Sequence, residues 1–347
     1  MKKFLLMIFP VLLFQLCAGE SYNFLLLSDT HFGGADTYYN GPEKIYRTKK
    51  DIYRADKAMN NVTAMFDDMV KKSDEKTRFV IHCGDIIEGY TKNQETHEKV
   101  LRESFDLMNK YFSKLPLYFV KGNHEAVGLG GKEAWENVGL PELSKTVGKK
   151  LSNTCYSIRR GEDIFIFLDY SYKNHPEFLR ETLAGLDFKP RYVFAIIHWE
   201  IVPLFLEQKQ QICDILSPYN GIIIHGHFHR VLHLRYEKNN GRVITFSLGS
   251  FINPDLKKMR FIKIDNNLDN YAASFRRKAA GKKEAIRLLE QESLPFITHY
   301  AEYSSHNLWQ GYGKIYVSDE GVFAELQSAD LTDNPLKVEL TKIKKLK

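Results

Sequence analysis

The stretch Phe79-Val-Ile-His-Cys-Gly-Asp85 joins a run of β-forming residues directly to a glycine and an aspartate. Five β-forming runs in the chain are followed in this way by polar residues. They are Phe24–Ser28, Phe79–Cys83, Leu117–Val120, Arg191–Ile197 and Gly221–His225. Sites in open α/β sheets are built outside the carboxyl ends of strands, so we expect these five ends to converge.

The residues that follow the five runs include two aspartates, one asparagine and five histidines. They are Asp29, His31, Asp85, Asn123, His124, His198, His227 and His229. Carboxylate, amide and imidazole groups bind the hard divalent metals that activate water. Two such ions, ~3.5–4 Å apart, hold a nucleophile and the oxygens of a phosphate together. The set therefore predicts a dinuclear metal site, with Asp85, directly after a glycine turn, as the carboxylate that bridges both ions.

The order Asp-x-His, Gly-Asp, Gly-Asn-His-Glu, His and Gly-His-x-His resembles the calcineurin-like metallophosphoesterase superfamily over roughly residues 24–260. The resemblance implies an α/β fold, a four-layer α/β/β/α sandwich of two mixed sheets. It also implies two sets of metal ligands. The first is Asp29, His31, Asp85 and His229, and the second is Asp85, Asn123, His198 and His227. His124 would stand beside the leaving-group oxygen as the catalytic proton donor or electrostatic stabiliser.

Two residues beside these motifs are candidates for orienting the ligands. His225 directly precedes the last motif, and Glu125 ends the Gly-Asn-His-Glu motif. Partners of this kind hold metal ligands by hydrogen bonds without binding the ion. The cofactors implied are two divalent metal ions, and Mn, Fe, Zn and Mg all accept these ligands. The aromatic residues next to the motifs, Phe32, Tyr90, Trp199 and Phe228, fit pocket lining and core packing equally well.

Several branches of the superfamily fit less well. Purple acid phosphatases would carry a tyrosine where this chain has Glu88, and they lack a histidine equivalent to His31. Lipid A pyrophosphatases have an arginine in place of His124. Secreted 5′-nucleotidases usually follow Gly-Asn-His-Glu with Phe-Asp, where this chain has Ala126-Val127.

A looser resemblance is to acid-sphingomyelinase-like phosphodiesterases. It rests on Ser247 or Ser250, Asn253-Pro254, Arg260 and Asp269-Asn-Tyr271. We therefore expect hydrolysis of a phosphate ester by metal-bound hydroxide, with a phosphodiester slightly favoured. A phosphomonoesterase stays open, as do a cyclic-nucleotide phosphodiesterase and a non-catalytic scaffold on the same fold.

The start of the chain has the pattern of an export signal. Lys2 and Lys3 precede an apolar run, and Cys17-Ala-Gly19 is a small-residue exit. We expect a signal peptide over residues 1–19 and a periplasmic or secreted enzyme, while lipid attachment at Cys17 is the alternative. The apolar run is shorter than the ~20 residues that span a bilayer, so no transmembrane segment is expected.

The rest of the chain predicts a catalytic domain over residues 22–277 and a C-terminal extension of unknown role over 278–347. The net charge of +6 is modest and shows no clustered basic face, so the expected partner is a small phosphorylated substrate and not nucleic acid. Apolar spacing predicts helices over 52–69, 100–112 and 282–292, and a strand at 271–275. Three cysteines remain after cleavage, and an odd count allows at most one disulfide.

Overall fold

The computed structural model describes residues 19–33, 62–169, 174–201, 204, 206–229, 231–238, 241–249, 264–265, 267–278, 281–306, 311–331 and 334–342. The strands in these ranges are β1 (Tyr22–Leu27), β2 (Thr77–His82), β3 (Leu117–Phe119), β4 (Tyr156–Arg160), β5 (Asp163–Leu168), β6 (Val193–Ile197), β7 (Gly221–His225), β8 (Val231–Lys238), β9 (Gly241–Ser247), β10 (Ile264–Asp265), β11 (Ala301–His306), β12 (Gly311–Ser318), β13 (Gly321–Ser328) and β14 (Leu336–Lys342).

The strands form two mixed sheets. One has six strands in the order β14-β13-β12-β1-β2-β3, and the other has eight in the order β10-β11-β8-β9-β7-β6-β5-β4. In the first sheet β1, β2 and β3 are parallel neighbours. In the second, β5, β6, β7 and β9 are parallel. The carboxyl ends of the parallel strands in each sheet therefore lie at one edge of that sheet.

The helices lie in the connections between strands. They are 62–72, Gln94–Tyr111, Gly131–Ala134, Leu140–Val147, His175–Ala184, Leu206–Leu216, Leu268–Lys278, Lys283–Arg287 and Leu294–Tyr300, with π-helical turns at Trp135–Gly139 and Leu288–Ser293 and a 3-10 turn at Ser217–Tyr219. The helix Gln94–Tyr111 begins where the Asn93 side chain accepts a 2.9 Å hydrogen bond from the Thr96 amide. This helix confirms the one predicted from apolar spacing.

Aromatic side chains join the two sheets across the core. Phe24 of β1 packs edge-on against Phe165 of β5, with ring centroids 5.5 Å apart, and against Phe194 of β6 at 6.0 Å. Side chains alternate along β5, because successive residues of a strand point to opposite faces. Phe165 and Phe167 face the first sheet, while Ile164, Ile166 and Leu168 belong to a second apolar cluster.

Helices cover the outer faces of both sheets. Residues Val62 and Phe66 of the helix 62–72 pack in the same cluster as β1 and β2. On the other side, Leu179 and Ile212 belong to one apolar cluster with the outward-facing residues of β5 to β7, and Phe296 stacks on Tyr236 of β8. The expected α/β/β/α sandwich of two mixed sheets is confirmed.

The C-terminal residues contribute strands to both sheets. Strand β12 pairs with β1 in the interior of the first sheet, with Phe24 opposite Ile315, and β11 pairs with β8 in the second. The boundary predicted after residue 277 therefore separates strands that pair in the same sheets. The predicted strand at 271–275 is wrong, since these residues belong to the helix Leu268–Lys278. Tyr271 and Ala272 are buried, and with Leu268 they have helical spacing.

Some predictions fall outside the described residues: the export signal through residue 18, the helix over 52–61, and Ser250, Asn253-Pro254 and Arg260. Among the residues described, no helix is long and apolar enough to cross a membrane. Cys83, Cys155 and Cys213 are free thiols.

Candidate metal centre

The loops at the carboxyl ends of five strands bring the predicted residues together. Asp29 follows β1, Asp85 follows β2 and Asn123 follows β3, while His198 follows β6 and His227 follows β7. The first three strands belong to one sheet and the last two to the other. The site therefore lies where the corresponding edges of the two facing sheets meet, as the position of the motifs after the strands predicts.

Many of these residues adopt a backbone conformation that is unusual for side chains other than glycine. The φ angles of Asp29, His31, Asp85, His227 and His229 are 53°, 44°, 53°, 70° and 56°. Left-handed conformations of this kind cost free energy and persist where surrounding contacts enforce them, often at functional sites. Local sterics oppose these turns, so packing and hydrogen bonds must hold them.

Close approach explains two glycines of the motifs. A Cβ atom on Gly122 would collide with the carboxylate of Asp85, and one on Gly226 would collide with Ser28 and Asp29. Glycine lets the backbone approach the acidic side chains without such a clash.

Four residues form the first group of donor atoms. Asp29, His31, Asp85 and His229 each offer one atom, and these atoms all lie within 4.8 Å of one another. His229 Nε2 is 3.1 Å from Asp29 Oδ1 and 3.3 Å from His31 Nε2. Ligand atoms that share one ion at about 2.0–2.2 Å have mutual distances of this size. The group has the composition of the predicted first ligand set.

A second group of donor atoms contains Asp85, His198 and His227. His198 Nε2 lies 3.1 Å from Asp85 Oδ2, 3.3 Å from His227 Nδ1 and 3.2 Å from Asn123 Oδ1. These four residues are the predicted second ligand set. Asp85 belongs to both groups, which is the placement that a bridging carboxylate requires.

The orientation of His198 is set from the side opposite the donor atoms. Its Nδ1 atom lies 2.7 Å from the carbonyl oxygen of Cys83. A proton on Nδ1 donated to this carbonyl leaves Nε2 free to face the carboxylate of Asp85. The contact links β6 of the second sheet to the end of β2 in the first.

His124 and Glu88 form a third cluster beside the first group. His124 Nδ1 lies 2.6 Å from the backbone oxygen of Glu88, and its Nε2 atom is 3.9 Å from Asp85 Oδ2. The Glu88 carboxylate lies 3.1 Å from His31 Nδ1 and 3.4 Å from His124 Nδ1. It therefore contacts one predicted ligand and the predicted proton donor together. The motifs do not include Glu88, and its only sequence signal is an acidic residue after Ile86-Ile87, three positions beyond Asp85.

Glu125 holds the loops that carry Asp85 and Asn123. Its buried carboxylate accepts hydrogen bonds from the amides of Asp85 (3.0 Å), Ile86 (2.5 Å), Ile87 (3.1 Å) and Gly122 (2.6 Å). This geometry suits the predicted orienting role. His225 is also buried, but its Nδ1 atom is 3.2 Å from the carbonyl of Gly226, and its Nε2 atom has no hydrogen-bond partner among the described residues.

His82, which no motif includes, joins two of the loops. Its Nδ1 atom accepts a 3.2 Å hydrogen bond from the Gly84 amide, so the neutral ring carries its proton on Nε2. Nε2 lies 2.9 Å from the hydroxyl of Thr30, which in turn donates to the carbonyl of Ile86. Burial lowers the pKa of His82 to about 3, which keeps the ring neutral.

The buried carboxylates and histidines of the site shift one another's pKa values. Burial opposes a charge on His31, but Glu88 together with Asp29 and Asp85 outweighs burial and raises the pKa of His31 to about 10. Burial also opposes a charge on His198, and Asp85 raises its pKa to about 9. Burial disfavours ionisation of Asp85 too, but His198 and His124 hold its pKa well below the usual range.

This donor set fits two divalent ions. The carboxylates of Asp29, Asp85 and Glu88 are buried together. Without metal, the protonated imidazoles of His31 and His198 supply positive charge beside these carboxylates. Oxygen and imidazole donors without thiolate suit hard or borderline divalent metals. Bound ions would displace the protons on His31 and His198, because a histidine must be neutral to bind a metal.

The family comparison agrees with the fold and the site. The family model of the calcineurin-like phosphoesterases matches residues 22–231. This match spans more than half of the chain, and the chain therefore belongs to the calcineurin-like phosphoesterase family. No curated protein matches the sequence significantly.

Several solved structures are similar to this chain at low sequence identity. PhoD is 11% identical, with 94% of this chain and 73% of PhoD covered and a TM-score of 0.50. GAP50, the anchor in the inner membrane complex of Plasmodium, is 12% identical, with coverage of 94% and 90% and a TM-score of 0.47. Chaetomium thermophilum Vps29 is 10% identical, with coverage of 93% and 98% and a TM-score of 0.32. At such identities the likeness to PhoD concerns the fold alone.

Proposed function

We propose that this chain is a metal-dependent hydrolase of small phosphodiesters that acts outside the cytoplasm. The observation that carries the proposal is the Asp85 carboxylate, which both groups of donor atoms share. Asp29, His31 and His229 would complete the first metal site, and Asn123, His198 and His227 the second. Divalent ions held there would activate a water and offset the charge of the phosphate oxygens.

The protein itself would supply proton transfer to the leaving group. His124 Nδ1 faces the carbonyl oxygen of Glu88 at 2.6 Å, so a proton on this atom is held by that contact. Nε2 faces the centre, 3.9 Å from Asp85 Oδ2, and from there a proton on Nε2 can pass to the departing oxygen. The Glu88 carboxylate, near both His31 and His124, would hold the ring in this orientation.

The preference for a diester is supported by the place of His31 in the first group of donor atoms. A histidine at this position is typical of the diesterase branches that the sequence resembles. The looser resemblance to acid-sphingomyelinase-like enzymes points to the same substrate class.

The test compares metal-free protein, reloaded separately with Mn, Fe, Zn or Mg, on bis-nitrophenyl phosphate and mononitrophenyl phosphate. We expect metal-dependent hydrolysis of both, with a higher kcat/KM for the diester. A preference of about tenfold for the monoester, or ~1.4 kcal/mol, would replace the diesterase proposal by a monoesterase. Two bound metals without hydrolysis of either ester would favour a binding scaffold.

The proposed export rests on the basic start, apolar run and small-residue exit of residues 1–19. Fractionation of the source cells and N-terminal sequencing test it. A chain that begins near Glu20 in the periplasm or medium is the expected result. An intact Met1 in the cytosol would contradict export, and a lipid on Cys17 would place the enzyme at a membrane surface.

A further inference from the structure

Trp199 lies at the metal centre with part of its indole in solvent. Its side chain is 37% exposed, although the residue directly before it, His198, is buried. The indole Nε1 donates a 3.3 Å hydrogen bond to Asn123 Oδ1. The ring centroid is 5.3 Å from that of His227, with 38° between the ring planes. Trp199 therefore packs against two residues of the predicted second ligand set.

Few large apolar side chains are as exposed as Trp199 in the described part of the chain. Besides Trp199 they are Val70, Leu129, Tyr300, Phe323 and Leu331. A large ring that is partly exposed beside a polar site is typical of a binding surface, because contact with a ligand removes apolar area from water. The hydrogen bond to Asn123 fixes the edge of the indole, while more than a third of the residue's surface stays accessible to a ligand.

The predicted proton donor borders the other group of donor atoms. The ring of His124 is 4.5 Å from the ring of His31, which belongs to the first group of donor atoms. Tyr90 packs edge-on against His124 at 5.5 Å. The two groups thus have different neighbours: His124 and Tyr90 border the first group, and Trp199 borders the second.

This arrangement separates the two substituents of a phosphodiester. The leaving oxygen must lie near His124, because His124 would protonate it. We infer that Trp199 forms a subsite for the substituent that stays on phosphorus, and that this substituent is a planar aromatic group which stacks on the indole. The inference rests on the proposed diesterase function and narrows its substrate class to phosphodiesters with an aromatic group on the retained side.

Two substrates with the same leaving group test the subsite. Bis(4-nitrophenyl) phosphate retains an aromatic ring on phosphorus after hydrolysis, whereas methyl 4-nitrophenyl phosphate retains a methyl group. We expect Trp199→Ala to lower kcat/KM for the aryl ester about tenfold more than for the methyl ester, since stacking on an aromatic side chain is worth this much. Comparison with the native protein cancels the difference in intrinsic reactivity of the two esters.

Two further variants separate stacking from other effects. Trp199→Phe keeps a ring but removes the N–H that contacts Asn123, and it should retain most of the aryl preference. Tyr300→Ala truncates an exposed aromatic residue of the helix Leu294–Tyr300 and should leave the ratio of the two rates unchanged. An equal loss on both esters in Trp199→Ala, or full loss of the aryl preference in Trp199→Phe, would overturn the inference.

A binding measurement gives a readout independent of turnover. Calorimetric titration of the metal-loaded protein should show tighter binding of phenylphosphonate than of methylphosphonate. In Trp199→Ala the ratio of the two dissociation constants should shrink about tenfold. Elemental analysis of each variant controls for loss of metal caused by a displaced Asn123 side chain. Equal affinities for the two phosphonates in the native protein would overturn the subsite. Failure of the native protein to hydrolyse either ester with any metal would instead overturn the proposed function.

Discussion

A carboxylate oxygen of Glu88 lies 3.1 Å from the Nδ1 atom of His31, on the side of the ring that faces away from the other donor atoms. The same carboxylate lies 3.4 Å from Nδ1 of His124. Glu88 itself is buried, and although burial opposes its charge, His31 and His124 lower the pKa of its carboxyl to about 2. One ionised side chain therefore holds a predicted metal ligand and the predicted proton donor.

Glu88→Gln tests this link. Glutamine keeps the size of the side chain and removes the charge. The first metal should therefore bind about 10–100-fold more weakly, which is the usual effect of changing a residue that contacts a metal ligand. Turnover of esters with poor leaving groups should fall as well. Metal affinity from competition with a chromophoric chelator measures the effect, and Glu103→Gln on the exposed face of helix Gln94–Tyr111 is the matched control. Unchanged affinity and rate would show that the contact has no functional role.

The bridging role of Asp85 predicts coupled loss of both metals. Asp85→Asn removes the charge that both groups share, so metal content should drop at both positions and hydrolysis should be lost. Asp106→Asn, at an exposed position of the helix Gln94–Tyr111, is the control and should bind two ions normally. Elemental analysis that finds two metals and normal turnover in Asp85→Asn would exclude the bridge.

The position of His124 predicts a rate loss that depends on the leaving group. His124→Ala should keep both metals and lose ~10²–10⁴ in rate on esters whose alcohol must be protonated. The loss should be much smaller for nitrophenolate, which departs without a proton. Rates on nitrophenyl and alkyl leaving groups, measured side by side, distinguish this role from charge stabilisation, for which the loss would be equal.

His82 predicts that a residue outside the motifs controls metal affinity. His82→Leu removes the hydrogen bonds to Gly84 and Thr30 and should weaken both metals about 10–100-fold. His82→Gln keeps one amide group near these partners and should recover part of the affinity. His175→Gln, at a buried histidine that contacts the carbonyl of Asp169, controls for general effects on the core. If His82→Gln recovers the stability of the fold but not the affinity for metal, His82 contributes to packing only.

The metal-free protein should lose stability as the pH rises from about 7 to 8. The folded-state pKa values of His31 and His198, about 10 and about 9, lie above the ~6.5 of an unfolded histidine. Their contribution is complete below pH ~6.5 and is lost as the pH rises through the folded values. The slope is up to ~1.4 kcal/mol per pH unit for each histidine. The window begins at about pH 7 because buried histidines such as His82 and His225, with pKa values lowered to about 3 and about 4, add the opposite trend while the unfolded chain still binds their protons. It ends at pH 8 because burial lowers the pKa of Lys209 to about 8, which adds the opposite trend above that pH.

Urea unfolding with and without a chelator measures this pH dependence. In the metal-loaded protein these histidines carry no proton, so their contribution should rise with pH until the unfolded histidines are also neutral, at pH ~7.5, and stay constant above it. A metal-free protein whose stability is flat or rises between about pH 7 and 8 would show that the two imidazoles are neutral without metal.

Local patterns were enough to predict the strands that carry the site. The runs before Asp29, Asp85, Asn123, His198 and His227 are strands in the structure, because short apolar runs with flanking glycines favour strands. The expectation failed at Tyr271, where a short aromatic run has the helical spacing of a surface helix. The pairing of β12 with β1 joins residues almost 300 positions apart, and no local pattern encodes such a contact.

The sequence by itself determined the residue types of the candidate metal centre, their order and their place after strands, since the strand period and the chemistry of the side chains are local properties. The tertiary structure alone decided where Glu88, His82 and Trp199 lie relative to the donor atoms. Their contacts lie between separate loops, and in the case of Trp199 they join the loops of two different sheets. Such contacts exist only once the two sheets have packed face to face, because that packing brings the strand ends together.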